Sequence, residues 1–309
     1  MSFSSDIKEE LCKIKLRQNG QKLAVLAGLT QTCSTLRIGR TPQVLYQSEL
    51  SSVTHLVEVT ACQLYELDAV TGIKEQEHRL FPLSVVRING TDCRKLLMDT
   101  GILSEDEEGF SLHKNVPENI TANEETRRCF LRGVFLGSGS CSDPSGSYHL
   151  ELGMRTEEFA GEVAELIRQD GINAKVSNRK GRYLVYVKSD DVTAFLAQIG
   201  ASSAALKVED VRAVKDYRNY INRTSNCETA NIDKTVRAAL QQVRAIECLE
   251  KHMNLNDLPG PLYEAARLRL QNPDASLQEL ADLAEIGKSG MNHRLTRIIE
   301  MAQNIEGEI

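Results

Sequence analysis

Hydrophobic and polar positions in the N-terminal part of the chain alternate between the period of a helix and the period of a strand. Asp6 and Glu9 have the spacing of a capping box and predict a first helix. The helices predicted next are 21–32, 63–70 and 92–100, and the predicted strands are 34–39, 55–61 and 83–88. Gly101 is expected to end the last of these helices. The acidic residues 105–109 are predicted to form a loop.

The same order of elements returns further along the chain. Thr121 and Glu124 predict a second capping box, and the helix that they open extends to about Gly137. The segments after it are a hairpin with its turn at 143–146 and its second strand at 148–154, a helix at 157–169, strands at 173–177 and 183–188, and a helix at 191–199. This half has the order helix, two strands, helix, two strands, helix, and the first half fits it less cleanly. The sequence therefore predicts two copies of one domain-sized unit.

The C-terminal part, after about residue 207, has a helical period only. A long helix is predicted over residues 231–252, and Leu258-Pro259-Gly260-Pro261 is a break that three short helices should follow. Ser276 and Glu279 form a capping box, and Leu277, Leu280, Ala281 and Ala284 give the helix that follows one apolar face. After a turn at residues 285–287, the next helix starts near Lys288 with an apolar stripe of Met291, Leu295, Ile298 and Ala302.

These last helices have the pattern of a helix-turn-helix, with polar side chains of the kind that read a major groove. Arginine pairs with guanine and asparagine with adenine, whereas lysine and serine hold phosphates. The predicted DNA contacts are Ser276, Gln278, Lys288, Ser289, Gly290, Asn292, His293, Arg294, Thr296 and Arg297. Glu285 occupies the turn position where glycine is common, which leaves the turn geometry open. The alternative is a helical hairpin used for packing or dimerisation.

Composition restricts the class of protein. Hydrophobic residues are 41% and charged residues 26% of the 309 residues, which predicts packed domains. A net charge of −6 argues against coating nucleic acid by bulk charge, but it leaves room for a local basic face. The absence of Trp argues against a stacking platform for single strands. No cysteine pair has zinc-site spacing, and no signal peptide or membrane span is apparent, so we expect a cytoplasmic protein.

Two matching helical segments, residues 26–34 and 131–139, carry small residues where helices can cross closely. The alternative is two unrelated buried helices with incidental glycines. Both segments resemble the LAGLIDADG motif of homing endonucleases, a family in which two such helices form a pseudo-twofold interface. Each motif helix there ends in an acidic residue that holds a divalent metal, and the matching positions here are Cys33 and Ser138. No Asp or Glu occurs at residues 26–38 or 131–142.

The missing acids predict that nuclease chemistry is lost, since hard cations need oxygen ligands. We therefore expect no catalytic residue, no metal and no cofactor. Two alternatives remain: a DNA endonuclease with relocated acids, and an RNA-binding module like those of intron maturases. In the LAGLIDADG family the sheets lie on the duplex, so the basic hairpin predicts phosphate contacts from Lys175, Arg179, Lys180, Arg182 and Lys188. A solvated hairpin rim is the other interpretation of these residues.

The whole chain resembles the WhiA family of Gram-positive bacteria. The resemblance rests on residues 4–11 (SSDIKEEL), on residues 222–235 and most strongly on residues 288–295 (KSGMNHRL). It implies an α+β region of two LAGLIDADG-like αββαββα repeats followed by an all-α helix-turn-helix domain. It also implies a DNA-binding regulator of transcription, linked to sporulation in some members and to cell division and chromosome segregation in others.

The resulting domain expectation has three parts. Residues 1–206 form a degenerate LAGLIDADG-like domain with repeats at about 7–101 and 121–200, residues 207–257 a helical linker, and residues 258–309 the helix-turn-helix domain. The expected partner is double-stranded DNA, together with the transcription machinery or a co-regulator. We expect no membrane contact and no small-molecule substrate, and a location at the nucleoid.

Overall fold

The computed structural model describes residues 2–65, 70–74, 82–106, 109–179 and 181–307. The chain divides into two compact units, residues 1–214 and residues 215–309. Within the described residues, no helix is both long enough and apolar enough to cross a membrane.

The first half of unit 1 contains helices and strands in the order of one repeat. They are α1 (Phe3–Cys12), α2 (Asn19–Cys33), β1 (Ser34–Arg37), β2 (Gln43–Ser48), α3 (Ser51–Tyr65), β3 (Val70–Lys74), β4 (Leu83–Asn89) and α4 (Gly90–Asp99). A hairpin of β5 (Leu103–Asp106) and β6 (Gly109–Leu112) and the short helix α5 (Glu118–Thr121) lead to the second half. From α2 to α4 the order is αββαββα.

The second half repeats that order. Its elements are α6 (Glu124–Ser138), β7 (Gly139–Cys141), β8 (His149–Met154), α7 (Glu157–Gln169), β9 (Lys175–Arg179), β10 (Arg182–Lys188) and α8 (Asp190–Ile199). The two four-stranded antiparallel sheets have matching strand orders, β1-β2-β4-β3 and β7-β8-β10-β9. The predicted internal repeat is therefore present, and the first half follows it as completely as the second.

Helices α2 and α6 pack against each other where the repeated glycines lie. A Cβ atom on Gly133 would stand 2.2 Å from the carbonyl oxygen of Val25, and one on Gly28 would stand 2.4 Å from the carbonyl oxygen of Phe130. Such distances leave no room for any side chain, so the two backbones meet directly. The residues on both sides of this seam, including Leu26 and Val134, are fully buried. The glycines predicted to mark a helix crossing do mark one.

Several predicted elements of the first half differ from the structure. Residues 55–61 form part of helix α3, not a strand, because Val53, Val57 and Ala61 recur at helical spacing and are buried. Their many β-branched neighbours favoured a strand locally, and packing overrides that preference. Of the predicted helix at 63–70, residues 63–65 are the end of α3. Residues 66–69 lie outside the described part, and β3 begins at Val70. Strand β2 was not predicted.

Two helix starts and one loop also need correction. The Ser2 hydroxyl caps α1 by accepting from the Ser5 amide, and the Asn123 carboxamide caps α6 by accepting from the Thr126 amide. The predicted capping boxes at Asp6 and Thr121 are therefore wrong. The acidic stretch predicted as a loop belongs to the β5–β6 hairpin, although residues 107 and 108 lie outside the described part. The other predicted helices and strands of unit 1 are confirmed, with ends that coincide or differ by up to three residues.

Within its described residues, unit 2 contains helices and no strands. Helix α9 (Ser202–His252) contains the division between the units, and a short 3-10 helix (Leu255–Asp257) follows it. The unit continues with α10 (Gly260–Gln271), α11 (Leu277–Leu283) and α12 (Lys288–Gly307). The predicted domain boundary after residue 206 lies inside α9, and the predicted break at 258–261 falls between the 3-10 helix and the first turn of α10.

Gly133→Ala should destabilise unit 1 by about 2 kcal/mol or more, because its methyl group cannot fit against the Val25 backbone without separating α2 from α6. Gly161→Ala is the matched control, since this helical position on α7 has nothing within 4 Å of an added Cβ. The control should gain about 1 kcal/mol from helix propensity. Urea unfolding followed by circular dichroism measures both. Equal effects of the two substitutions would contradict the backbone contact.

Candidate nucleic-acid interface

Helices α11 and α12 form the predicted helix-turn-helix. The capping box of α11 is present: Ser276 accepts from the Glu279 amide at 3.3 Å, and the Glu279 carboxylate accepts from the Ser276 amide at 2.7 Å. These bonds satisfy amides at the helix start that have no partner within the helix, and they hold the pKa of Glu279 below its usual value. The start of α11 is thus fixed by local sequence alone.

The turn between the two helices closes without a glycine at its first position. Glu285 adopts a left-handed conformation with φ 54°. Its amide donates to the Asp282 carbonyl at 3.2 Å, and the Ile286 amide donates to the Ala281 carbonyl at 3.0 Å, which is the Schellman arrangement of a helix end. The turn geometry left open by the sequence is therefore formed, at the cost of a strained glutamate.

Helix α12 buries one face and exposes the other. The predicted stripe of Met291, Leu295, Ile298 and Ala302 is buried against α10 and α11, together with Leu280 and Ala281. Of the predicted DNA contacts, the exposed residues are Gln278, Lys288, Ser289, Gly290, Asn292, His293, Thr296 and Arg297, and Ser276 is partly exposed. The described part of unit 2 thus presents one continuous polar surface along the first half of α12.

The two arginines of this surface already have partners. Arg294 donates to the Glu264 carboxylate on α10 at 3.0 Å, and its side chain is only 22% exposed. A guanine contact by Arg294 would require this ion pair to open, so its part in base reading stays a prediction. Arg297 pairs with Glu300 at 3.0 Å, but both side chains are exposed and such pairs contribute little energy. Arg297 therefore remains available to a ligand.

Unit 2 also contains a buried arginine, Arg269, that was not predicted from the sequence. The Arg269 side chain is 1% exposed, and its Nη1 atom lies within hydrogen-bonding distance of the carbonyls of Asn272, Pro273 and Ala275, at 3.3, 3.3 and 2.6 Å. These carbonyls belong to the connection from α10 to α11. Arg269 therefore fixes where α11 begins. Nothing in the local pattern distinguishes it from the exposed Arg267 two residues earlier.

The two sheets of unit 1 carry a second basic surface. Within the described residues of their eight strands there are seven Lys or Arg residues and one acid, Glu151, in a chain whose net charge is −6. In the second sheet, Val185 and Val187 are buried on the helix-covered face, so Arg182 and Lys188 lie on the opposite, open face. Lys175 and Arg179 are exposed on the same face, and Lys180 lies outside the described residues.

Glu151 reduces the positive charge of the surface at Arg179. It lies on the neighbouring strand β8, opposite Tyr186, and its Oε1 atom is 3.0 Å from Arg179 and 2.6 Å from the Nε2 atom of His149. Arg179 is thus partly neutralised in the folded protein. Sequence reasoning could not find this pair, because Glu151 and Arg179 are brought together only by the sheet.

The first sheet adds basic residues that the sequence analysis missed. Arg37 and Arg87 are exposed, and the register places them on the open face, opposite the buried Val44 and Ile88. The same face carries Gln43, whose amide donates to Asn89 at 2.7 Å. Strand alternation could have identified both arginines if β2 had been predicted, since it lies between β1 and β4.

Cys33 and Ser138, the positions that match the acidic residues of the LAGLIDADG motif, lie at the end of the seam between α2 and α6. A Cβ atom on Gly137 would stand 3.4 Å from that of Cys33, and the adjoining Ser138 hydroxyl donates to the Val134 carbonyl at 3.2 Å. Burial raises the pKa of the Cys33 thiol to about 12, although the positive charges of Lys8 and Arg155 act in the opposite direction. The thiol is therefore neutral at pH 7, and neither side chain offers a carboxylate oxygen.

Both basic and acidic side chains lie near the seam end. Lys8 and Arg155 approach Cys33 from α1 and from the β8–α7 connection, and Glu49 is the acid that acts on Lys8. Among the residues that the structure describes, no group of three His, Cys, Asp or Glu side chains is arranged to hold a metal ion.

Two family models match this chain. The model described as the WhiA LAGLIDADG-like domain matches residues 127–218, and the model described as the WhiA C-terminal HTH domain matches residues 221–302. A protein of Clostridium tetani (strain Massachusetts / E88), named probable cell division protein WhiA, is 36% identical over 317 residues, which cover 100% of this chain and 99% of that relative. The chain belongs to the WhiA family.

Further WhiA proteins extend the comparison. A relative from Clostridium acetobutylicum with the same name is 35% identical, again over 100% of this chain and 99% of its own length. The crystal structure of full-length WhiA from Thermatoga maritima matches with a TM-score of 0.62 at 22% identity, over 98% of this chain and 99% of that chain. The predicted fold class is confirmed: a LAGLIDADG-like N-terminal region is followed by a helical helix-turn-helix domain.

In this WhiA-family protein, Glu285→Gly should stabilise the α11–α12 pair by about 1 kcal/mol, because glycine adopts the left-handed conformation without steric cost. Amide hydrogen exchange in α11 and α12 should slow by about fivefold. Asp282→Gly, inside α11, is the control and should speed the same exchange. A faster exchange in Glu285→Gly would mean that the glutamate side chain, not the backbone, stabilises the turn.

Proposed function

We propose that this WhiA-family protein is a sequence-specific DNA-binding regulator whose helix α12 enters the major groove of duplex DNA. The observation that supports this most directly is the exposure of Asn292, His293 and Thr296 above a fully buried apolar stripe. The buried face fixes the helix on its unit, and the exposed face carries amide, imidazole and hydroxyl groups suited to base edges. Lys288 and Ser289 stand at the start of the helix, where phosphate contacts orient such domains.

In this proposal Arg294 also has a structural role, through its ion pair with Glu264. Because it joins α12 to α10 across the helix-turn-helix, Arg294 positions the recognition surface. Removing it should weaken binding to target and random DNA alike, whereas removing Asn292 should reduce the difference between them.

Unit 1 is proposed to contact the duplex backbone through the open faces of its two sheets. The cations that support this are Arg37, Arg87, Lys175, Arg182 and Lys188, with Arg179 reduced in effect by Glu151. The interaction would be with phosphates and hence independent of sequence. The neutral Cys33 thiol and Ser138 hydroxyl at the seam end support binding without cleavage.

The cellular role is proposed from the names of the relatives and from the DNA-binding surfaces together. Relatives over the full length are named probable cell division proteins. A regulator that binds promoters in the nucleoid and contacts the transcription machinery or a co-regulator would connect DNA binding to division and chromosome segregation, and to sporulation where the host forms spores. A genome-wide occupancy map identifies the genes concerned.

Asn292→Ala should lose about 1–3 kcal/mol of discrimination between a target duplex and random DNA, because one bidentate base contact is removed. Asn304→Ala, an exposed asparagine further along the same helix, is the matched control and should bind like the parent. Arg182→Ala and Arg87→Ala should weaken binding to all duplexes and lower the salt dependence by about one ion each. Fluorescence anisotropy at several salt concentrations measures both effects.

Two results would contradict parts of this proposal. Equal discrimination in Asn292→Ala and the parent would remove α12 as the reading helix. Unchanged salt dependence in both arginine variants would remove the sheets as phosphate-binding surfaces. Tighter binding to structured RNA than to duplex DNA in competition would favour an RNA-binding module instead.

A supercoiled plasmid incubated with the parent protein and Mg²⁺ or Mn²⁺ should remain uncut, since hard cations require oxygen ligands that Cys33 and Ser138 do not supply. Gel electrophoresis measures nicking, with an active nuclease as the positive control. Nicking by the parent that is lost in Cys33→Ala and Ser138→Ala would establish an endonuclease with an altered metal site.

A further inference from the structure

A cavity of about 290 Å³ lies in unit 1. Its apolar lining comes from Leu36 on β1, Ile102, Leu112 at the end of β6 and Phe159 on α7. The end of α2 closes another side, and residues 113 and 114 pass over it. Elements from both repeats therefore surround one apolar space, of a size near the lower end of small-molecule sites.

Basic groups line this cavity, and acidic groups do not. His113, Lys114 and Arg155 all contribute to its wall, and none of the residues that line it carries a carboxylate. In a chain with a net charge of −6, such a wall is a local exception. An apolar space with a cationic rim is complementary to a small molecule that has an apolar body and an acidic group.

The segment that covers the cavity is held in place by side chains of α2 and α7. Glu162 on α7 accepts from the Asn115 side chain at 2.8 Å and from the Val116 amide at 2.6 Å. The Gln31 side chain donates to the Asn115 carbonyl at 3.2 Å, and the His113 amide donates to the Ile102 carbonyl at 2.8 Å. Glu162 therefore already accepts hydrogen bonds from this segment, and these bonds hold the segment beside the cavity.

Arg155 is held in place by a hydrogen bond and can still donate hydrogen bonds to a ligand. Its Nη2 atom donates to the Ser34 carbonyl at 2.5 Å, which fixes the guanidinium beside the cavity. A guanidinium has five N–H donors, so further donors remain for an anion. Lys114 is exposed at the rim and can follow an anion's position because its side chain is long.

We propose that this cavity binds a small organic acid, of roughly ten non-hydrogen atoms, with its apolar body on Leu36 and Phe159 and its anionic group between Lys114 and Arg155. In this proposal the ligand is an effector, and among the described residues no group of His, Cys, Asp or Glu is arranged to hold a metal ion beside it. The inference is independent of DNA binding, since it rests on a different surface of unit 1.

The probe is 4-fluorobenzoate, titrated into the full-length protein and followed by ¹⁹F NMR. Saturable binding with a dissociation constant of about 1 mM is expected, and the neutral 4-fluorobenzyl alcohol should bind at least about tenfold more weakly. Lys114→Met and Arg155→Met should each weaken the acid by about tenfold and leave the alcohol unchanged. Lys13→Ala, an exposed lysine that does not line this cavity, is the control.

A cavity-filling substitution separates folding from binding. Leu112→Trp should abolish binding of both probes with the far-UV circular dichroism spectrum unchanged, and the charge variants stand by themselves if it fails to fold. The proposal is overturned if no probe shows saturable binding at about 10 mM, well above the expected constant. It is equally overturned if the acid binds with the same affinity in the parent, Lys114→Met and Arg155→Met, because the probe would then lie elsewhere.

Discussion

The direct contact of two helix backbones at Gly28 and Gly133 is the constraint on which unit 1 depends. With a carbonyl oxygen 2.2–2.4 Å from where each Cβ would stand, any side chain at these positions forces α2 and α6 apart. Both sheets, the ends of both motif helices and the cavity between the repeats take their positions from this seam. At the end of this seam the chain carries the Cys33 thiol and the Ser138 hydroxyl, and the close approach of the helices is made by backbone contacts alone.

The charges of unit 1 follow the sheets. In a protein with excess acid, the strands of the two main sheets contain seven basic residues and one acid within their described residues. Alternation along the strands separates six of these cations from the buried valines and leucines and places them on the open faces: Arg37, Arg87, Lys175, Arg179, Arg182 and Lys188. The single acid, Glu151, pairs with Arg179 and His149 and so moderates one part of that surface. Basic residues that are far apart in the sequence therefore form two basic faces.

In unit 2 a small apolar core carries a polar surface whose precision depends on a few polar contacts beneath it. Arg269 satisfies three carbonyls in the connection before α11, Glu264 holds Arg294, and Glu285 accepts a left-handed conformation to bring α12 to its position. Each contact has a local cost in stability or conformational freedom. Arg269 is a buried cation, Arg294 is partly withdrawn from solvent, and the turn at Glu285 is strained. Under the proposed function, such rigidity would help α12 to present Asn292 and His293 to DNA in a fixed geometry.

The sequence by itself determined the repeat, the close-packed glycines, the capping box at Ser276 and the apolar stripe of α12. All of these depend on residues a few positions apart, where spacing translates directly into a helix face. It also indicated which polar residues of α12 are exposed, because exposure on an amphipathic helix follows from the stripe that the helix buries.

The tertiary structure decided what depends on long separations. Residues 55–61 became helical because tertiary burial of Val53, Val57 and Ala61 outweighed their β-branched preference. Glu151 meets Arg179, Glu264 meets Arg294, and Arg155 meets Ser34 across distances in sequence that no local period encodes. The physical reason is the same in each case: a period of two or 3.6 residues specifies which face a side chain takes. Which other side chain it contacts on that face is decided only by how the helices and strands pack against each other.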